Sequence, residues 1–197
     1  MGFDIVFPQI EDQSQLALAI NDYYLNKLCS LRDTEDRFWS ITLEDDGWPH
    51  PPYYSQTALY AYTWGDIYTV IIELIDEGGF AFHYNNNPLC DNFSISSGSR
   101  LTLDDVFSVG FDEYSTRISG LLKTPVTEYT QSLNPWYEEE TRRIPMPDIE
   151  NFMLTPNGLA LIYSRYEISD GATGPVILYV NYEDVKDILN TDLGLVE

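Results

Sequence analysis

The chain has 197 residues, 44% of them hydrophobic, which suffices for one well-buried core or for two small lobes that share an interface. Its 32 acidic and 10 basic residues give a formal net charge of -22, which repels nucleic acid and anionic lipid and favours a basic protein or another cation as partner, although solubility alone also accounts for it. The apolar runs are too short to cross a bilayer, so no membrane insertion is expected within this chain.

The amino-terminal half is predicted to hold helix and strands in alternation with loops. Alternation over Phe3, Ile5 and Phe7 predicts a first strand, and an apolar face from Leu16 to Leu31 predicts a helix that begins near Asp12. Aromatic and β-branched stretches then predict strands at 37–44, 56–64, 67–76 and 80–85. Because these strands follow one another closely, antiparallel pairing is expected.

The carboxy-terminal half adds two helices and a hairpin. The predicted elements are a short capped helix within 101–107, a helix over 112–123, a long connection over 124–148 with one short helix from Pro135, a hairpin turning at Asn157-Gly158, a strand over 175–182 and a closing helix over 182–189. The fold class is therefore α+β, with antiparallel sheets and helices packed on them, in two small lobes at 1–65 and 66–197.

The glycine-rich segment Ser164–Val176, SRYEISDGATGPV, is not a phosphate loop, because a strand follows it and it carries acidic residues instead of a lysine. Two cysteines, Cys29 and Cys90, are too few for a disulfide scaffold or a zinc site, which leaves one disulfide or two buried thiols. A Cys90–His83 catalytic pair is chemically conceivable, but a buried cysteine beside a strand histidine is the favoured interpretation. No cofactor or metal ion is predicted.

The 15 tyrosines and 4 tryptophans are the remaining compositional anomaly. Such side chains offer large, rigid, amphipathic contact area for a protein surface or a sugar, although many of them simply cover the faces of sheets. Paired carboxylates for glycan hydrolysis stay open as an alternative, because 32 acids make the presence of any one pair unspecific.

Four short motifs, in this order, resemble a known family: Gly78-Gly79, the run Leu101–Phe107, Tyr166-Glu167-Ile168 and Gly174-Pro175. They are similar to a bacterial envelope domain of unknown function, shared by the extracytoplasmic part of lysozyme-sensing anti-sigma factors and the amino-terminal part of certain peptidoglycan deacetylases. The Ala-His step that follows the first motif in that family is interrupted here by Phe80 and Phe82.

The resemblance implies a non-enzymatic binding or sensing module, located outside the cytoplasm, that recognises a lysozyme-like protein or a cell-wall glycan. A leader is expected to have been removed before Met1. The candidate binding residues lie in two loops: Phe82, His83 and Tyr84 in the first, and Tyr166, Asp170, Gly171 and Pro175 in the second. A glycan hydrolase and a purely structural accessory domain are the alternatives.

Overall fold

The computed structural model describes residues 9–27, 29, 53–77, 85–133, 151–164, 167–168 and 174–196. The elements in chain order are helix α1 (15–27), strands β1 (Tyr53–Trp64), β2 (Ile67–Glu77), β3 (Asn85–Ser94) and β4 (Arg100–Leu101), helices α2 (Leu103–Val106) and α3 (Phe111–Leu133), and strands β5 (Phe152–Thr155), β6 (Gly158–Tyr163) and β7 (Val176–Val180). The strands form two antiparallel sheets, ordered β1-β2-β3-β4 and β5-β6-β7. The α+β class with antiparallel sheets is confirmed.

Residues 67–72 of strand β2 bury side chains on both faces of the strand, which explains why this stretch is apolar without strict alternation. On one face Val70 and Ile72 pack with Ile20 and Tyr24 of α1. On the other face Ile71 packs against the second sheet. The first sheet therefore lies between α1 and the second sheet.

The second sheet also uses both faces. Ala160 and Ile162 of β6 belong to the cluster that contains Ile71, whereas Leu159 and Leu161 join the larger core formed with α2 and α3. Because successive residues of a strand point to opposite faces, one strand contributes to both clusters. The order of layers is α1, first sheet, second sheet, and then α2 with α3.

The suggested boundary between two lobes, at 65/66, coincides with the turn between β1 and β2, where Gly65 has a φ of 53°. The carboxylate of Asp66 accepts hydrogen bonds from the hydroxyl of Ser94 at 2.7 Å and from the amide of Ser96 at 2.8 Å. These bonds join this turn to the one that follows β3. The division into lobes stays a prediction.

Helix α2 is confirmed where a capped helix is predicted. The carboxylate of Asp105 accepts from the backbone amide and the hydroxyl of Thr102, at 2.7 and 2.8 Å. The first of these bonds satisfies the amide of Thr102 at the start of the helix, which otherwise lacks an intrahelical partner. Leu103 and Val106 face the core.

Helix α3 is longer than predicted. It runs from Phe111 to Leu133, so the first ten residues of the predicted 124–148 connection are helical, and that part of the prediction is wrong. The prediction rested on the four prolines of this segment and its lack of a sustained helical period; Pro125 is the one that falls inside α3, where a proline lacks an amide and its ring crowds the preceding turn. The structure shows that the helix continues past this single interruption.

The predicted closing helix over 182–189 is wrong. Residues Tyr182–Asp184 form a 3-10 turn and the chain continues in turns to Ile188, where a helix is predicted. Leu189 instead makes an antiparallel bridge with Phe107, and the amide of Ser108 donates to the carbonyl of Ile188 at 2.8 Å. These long-range backbone bonds hold the segment away from α-helical geometry.

Strand β3, NNNPLCDNFS, is an element that the sequence did not predict, since asparagine, proline and aspartate are rare in strands. Pro88 is tolerated because its backbone groups and those of Cys90 point away from β2. The amide of Cys90 donates to the side chain of Asn151, and the carbonyl of Pro88 accepts from it. A proline nitrogen on that outer edge removes no bond to β2.

Some predicted elements lie outside the described residues. They are the strands at 3–7 and 37–44, the strand at 80–85 apart from Asn85, and the short helix from Pro135. Among the helices that the structure does describe, none has both the length and the apolar character needed to cross a membrane.

The β5–β6 hairpin is confirmed with a shifted turn. Thr155 pairs with Gly158, so the two loop residues are Pro156 and Asn157, and Gly158 opens β6 with a φ of 157°. A Cβ atom on Gly158 would lie 2.5 Å from the carbonyl oxygen of Val180. Glycine is therefore required here by both backbone conformation and close approach.

Substituting Gly158→Ala is expected to lower the free energy of unfolding by about 2 kcal/mol, since the new methyl group must displace the end of β7. Gly120→Ala is the control, because it lies in α3 with nothing within 4 Å of the added Cβ and should stabilise the helix by up to about 1 kcal/mol. Urea unfolding followed by circular dichroism measures both. Equal effects of the two substitutions would contradict the packing argument.

Candidate functional site

The predicted binding residues fall mostly outside the described part of the chain. Phe82, His83 and Tyr84 of the first loop, and Tyr166, Asp170 and Gly171 of the second, are among the residues that the structure does not describe. Their assignment stays a prediction.

Pro175 is the predicted residue that the structure does describe. It is half-buried and directly precedes β7, after Gly174, which has a φ of 79°. A positive φ is readily adopted by glycine, so this pair turns the chain into the strand. The structure thus assigns Gly174 and Pro175 a geometric role at the start of β7.

An acidic surface covers α2, the start of α3 and the carboxy-terminal segment. Within 103–117 and 181–193 there are eight carboxylates and two cations, a formal excess of six negative charges. The eight are all exposed: Asp104, Asp105, Asp112, Glu113, Glu183, Asp184, Asp187 and Asp192. The two cations, Arg117 and Lys186, already contact carboxylates of the same surface at 3.7 and 2.7 Å.

Long-range contacts bring these segments together. The side chain of Asn190 donates to the carbonyl of Asp105 at 3.0 Å, and the guanidinium of Arg117 donates to the carbonyl of Asp184 at 3.0 Å. The bridge between Phe107 and Leu189 holds the same segments at the backbone. Acids about 80 positions apart in sequence, such as Asp105 and Asp187, therefore share one surface.

An aromatic side chain lies within this acidic surface. Phe111, the first residue of α3, is 47% exposed, although its ring contacts that of Tyr114 edge-on at 5.4 Å. Tyr114 is itself fixed, because its hydroxyl donates to Asp104 at 2.7 Å and its ring stacks on Phe107 at 4.7 Å. An exposed aromatic group on a rigid support, followed in α3 by two exposed acidic residues, has the composition of a protein-binding surface.

A second polar constellation is centred on Asp91, whose side chain is 2% exposed. Its carboxylate accepts from the hydroxyls of Tyr23 and Tyr24 at 2.8 and 3.0 Å, and from Arg100 at 2.9 Å. Lys27 approaches it at 3.4 Å. We call these five residues the Asp91 cluster.

The ring of Tyr23 ties the Asp91 cluster together. Both cations lie near this ring, Lys27 at 5.4 Å and Arg100 at 5.2 Å from its centre. Burial, and next the charge of Asp91, raise the pKa of Tyr24 far above its usual value, so this hydroxyl stays protonated and donates. Tyr23, Tyr24 and Lys27 come from α1 and Arg100 from β4, so the cluster holds α1 on the sheet.

The cysteines are free thiols, Cys29 exposed and Cys90 buried. Burial, with a smaller contribution from Asp91, raises the pKa of Cys90 to about 12, so the thiol is protonated at neutral pH. A protonated, buried thiol is a poor nucleophile, which disfavours the conceivable Cys90–His83 pair. Within the described ranges, no three histidine, cysteine or acidic side chains come together as a metal site.

A glycan hydrolase calls for an acid with a raised pKa in a cleft. Hydrogen bonding has the opposite effect on the pKa of Asp12 and of Asp66. Hydrogen bonds from Ser14 and Gln13 lower the pKa of Asp12, and those from Ser94 and Ser96 lower that of Asp66. Both groups are therefore held ionised instead of serving as proton donors.

Sequence reasoning missed the acidic surface and the Asp91 cluster for the same reason. The acids of α2 and α3 are visible as a local run, but their proximity to 183–192 depends on the bridge at Leu189. The partners of Asp91 in α1 lie 64 to 68 positions away. No local pattern carries that information.

Comparison with known proteins finds a family model that matches part of the chain. Residues 104–183 match the family model described as "Protein of unknown function (DUF3298)". This segment runs from α2 to the 3-10 turn after β7 and contains most of the acidic surface. No curated protein matches the chain.

Two solved structures share the fold. A DUF3298 family protein from Pseudomonas aeruginosa PAO1 aligns with a TM-score of 0.58 at 13% identity, over 75% of this chain and 66% of that one. A member of the same family from Bacteroides fragilis NCTC 9343 aligns with a TM-score of 0.57 at 20% identity, over 94% of this chain and 72% of that one. At these identities the likeness is one of fold.

Proposed function

We propose that this chain, whose residues 104–183 match the DUF3298 family model, is a non-enzymatic module that binds a basic protein of the lysozyme type outside the cytoplasm. The observation that carries the proposal is the acidic surface together with the exposed ring of Phe111, which directly precedes Asp112 and Glu113. The extracytoplasmic location is supported by the envelope proteins whose motifs the sequence resembles.

Charge and apolar contact serve different steps of such binding. A surface with a formal excess of six negative charges, on a chain of net charge -22, attracts a cationic protein and orients it before contact. An exposed aromatic ring then supplies burial that survives salt, because it does not depend on charge. Phe111 meets this requirement, since 47% of its surface is available.

Calorimetric titration with hen egg-white lysozyme tests the proposal. We expect a Kd of about 1 µM or below at low salt, weakening about tenfold as salt rises from about 50 mM to about 500 mM. Absence of heat at both salt concentrations would contradict the proposal. Heat with muropeptides but none with lysozyme would assign the module to cell-wall glycan instead.

Substitutions on the acidic surface test the site. The pair Asp112→Asn and Glu113→Gln is expected to weaken lysozyme binding about tenfold, and Phe111→Ala to weaken it by a similar factor. The matched control is Glu11→Gln with Asp22→Asn, which removes the same charge from exposed positions in the amino-terminal part. If both pairs weaken binding equally, net charge and not this surface accounts for the affinity.

A further inference from the structure

Strand β7 is the edge of the second sheet, and the register shows which of its backbone groups are free. The hairpin pair Thr155–Gly158 flanks a two-residue loop, so both residues point their amides and carbonyls at each other. Alternate residues of a middle strand bond to its two neighbours in turn. Because Gly158 bonds to β5, the even-numbered residues of β6 bond to β5 and the odd-numbered residues bond to β7. An independent bond agrees, because the amide of Ile162 donates to the carbonyl of Asn151 on the β5 side.

The pairs that join β6 to β7 are therefore Leu159–Val180, Leu161–Leu178 and Tyr163–Val176. It follows that the amides and carbonyls of Ile177 and Tyr179 point away from the sheet. Among the described residues no strand pairs with this outer edge. The side chains of the same two residues are 41% and 64% exposed, so main chain and side chains are available together.

At the opposite edge of this sheet, on β5, the outward backbone groups have hydrogen-bond partners. On β5 the outward carbonyl of Phe152 and the outward amide of Leu154 are both satisfied by the side chain of Asn92, at 2.7 and 3.1 Å. Exposed edges are usually protected by a charge, a proline within the strand or a bulge. The sequence of β7, VILYV, contains neither a charge nor a proline, and its register with β6 is unbroken.

The charges near β7 indicate which kind of polypeptide could bind at its outer edge. Glu183 and Asp184 follow the strand and are exposed, and Glu167 lies at its other end, where its carboxylate accepts from the amide of Ser164 beside Tyr163. A second copy of the chain would bring a further charge of -22 to this edge. These carboxylates attract an extended cationic segment at both ends of the strand.

We propose that the outer edge of β7 accepts an extended segment of a cationic polypeptide as an added antiparallel strand. The amides and carbonyls of Ile177 and Tyr179 form its main-chain bonds, and their side chains pack beside alternate residues of the incoming strand. The inference rests on the proposed function in one respect, the cationic nature of the partner, and it names how that partner is held.

The test uses the whole protein and a synthetic peptide of about eight residues that alternates lysine and valine. Amide hydrogen exchange followed by NMR should show Ile177 and Tyr179 exchanging quickly in the free protein. Addition of the peptide should slow both by about tenfold or more, the effect of one new hydrogen bond. Val176, Leu178 and Val180 already bond to β6 and serve as internal controls.

A matched pair of variants isolates the main-chain bond. Tyr179→Pro removes the outward amide without removing a bond to β6, whereas Tyr179→Val removes the same aromatic side chain and keeps the amide. We expect the proline variant to bind the peptide about tenfold more weakly than the valine variant. The same peptide methylated on alternate backbone nitrogens should fail to bind.

Four outcomes overturn the inference: no binding of the lysine-valine peptide, equal binding by the two variants, unchanged exchange at Ile177, and concentration-dependent dimerisation that Tyr179→Pro abolishes. The last outcome would assign the edge to a second copy. If lysozyme binding survives Tyr179→Pro but is lost in the Asp112 and Glu113 variant, this inference is wrong and the proposed function stands. If the peptide binds and slows amide exchange at Ile177, but lysozyme does not bind, the proposed function is wrong and this inference stands.

Discussion

Replacing Asp91 by alanine is expected to lower the free energy of unfolding by about 3 kcal/mol, because it leaves cations without their buried counter-ion. The Asp91 side chain is 2% exposed, whereas those of Lys27 and Arg100 are 25% and 17% exposed. Since both cations retain some contact with water, the cost belongs at the lower end of the range for a broken buried pair. Urea unfolding followed by circular dichroism measures the loss.

The loss should be concentrated in helix α1. Tyr23, Tyr24 and Lys27 all lie on this helix, so their freed groups favour its departure from the sheet. Amide hydrogen exchange is expected to show α1 opening at a lower free energy than β2 in the variant. Uniform destabilisation of all elements would contradict a docking role for the Asp91 cluster.

Two further variants test whether the loss comes from unpaired buried charge or from the removal of any carboxylate. Asp22→Ala removes an exposed carboxylate from α1 and should change stability by no more than about 0.5 kcal/mol. The triple variant Lys27→Met, Asp91→Leu and Arg100→Leu removes all three charges and should recover much of the loss. If the triple variant is no better than Asp91→Ala, the cost is not one of unpaired charge.

Replacing Asn92 by alanine is expected to cost about 3 kcal/mol, because three buried groups lose their partner at once. Its carboxamide donates to the carbonyl of Phe152 at 2.7 Å and accepts from the amide of Leu154 at 3.1 Å. It also accepts from the hydroxyl of Thr69 at 3.0 Å. The side chain thus acts as a peptide group that joins β3 to the edge of β5.

Thr69→Val is the graded control for this prediction, because it removes one of the three bonds and leaves both main-chain groups satisfied. It should cost about 1 kcal/mol. Asn151→Ala, which frees the amide of Cys90 and the carbonyl of Pro88, should resemble Asn92→Ala. A cost for Asn92→Ala no larger than that for Thr69→Val would contradict the role of joining the two sheets.

Several elements were predictable from local sequence. The apolar face of α1, the β-branched run of β2, the Thr102–Asp105 pair of α2 and the β5–β6 hairpin all depend on residues close together in the chain. Hydrophobic periodicity, capping and turn chemistry act over a few residues, so the printed sequence contains their causes.

Strand β3 shows where local reasoning fails. Its polar residues Asp91 and Asn92 argue for a loop, yet each has partners 60 or more positions away, Asp91 in α1 and Asn92 in β5. A polar side chain tolerates burial when its hydrogen bonds are satisfied, whatever the distance in sequence. The closing segment obeys the same rule, since its bridge to Phe107 overrides its helical pattern.

The sequence by itself determined the α+β class, the β5–β6 hairpin and the net charge of -22. The tertiary structure alone decided that the acids of two distant segments form one surface, that Asp91 anchors α1, and that Ile177 and Tyr179 present a free edge. The physical reason is range: propensity and charge are sums over neighbours in the chain, whereas a surface, a buried ion cluster and a sheet edge arise only when distant segments pack.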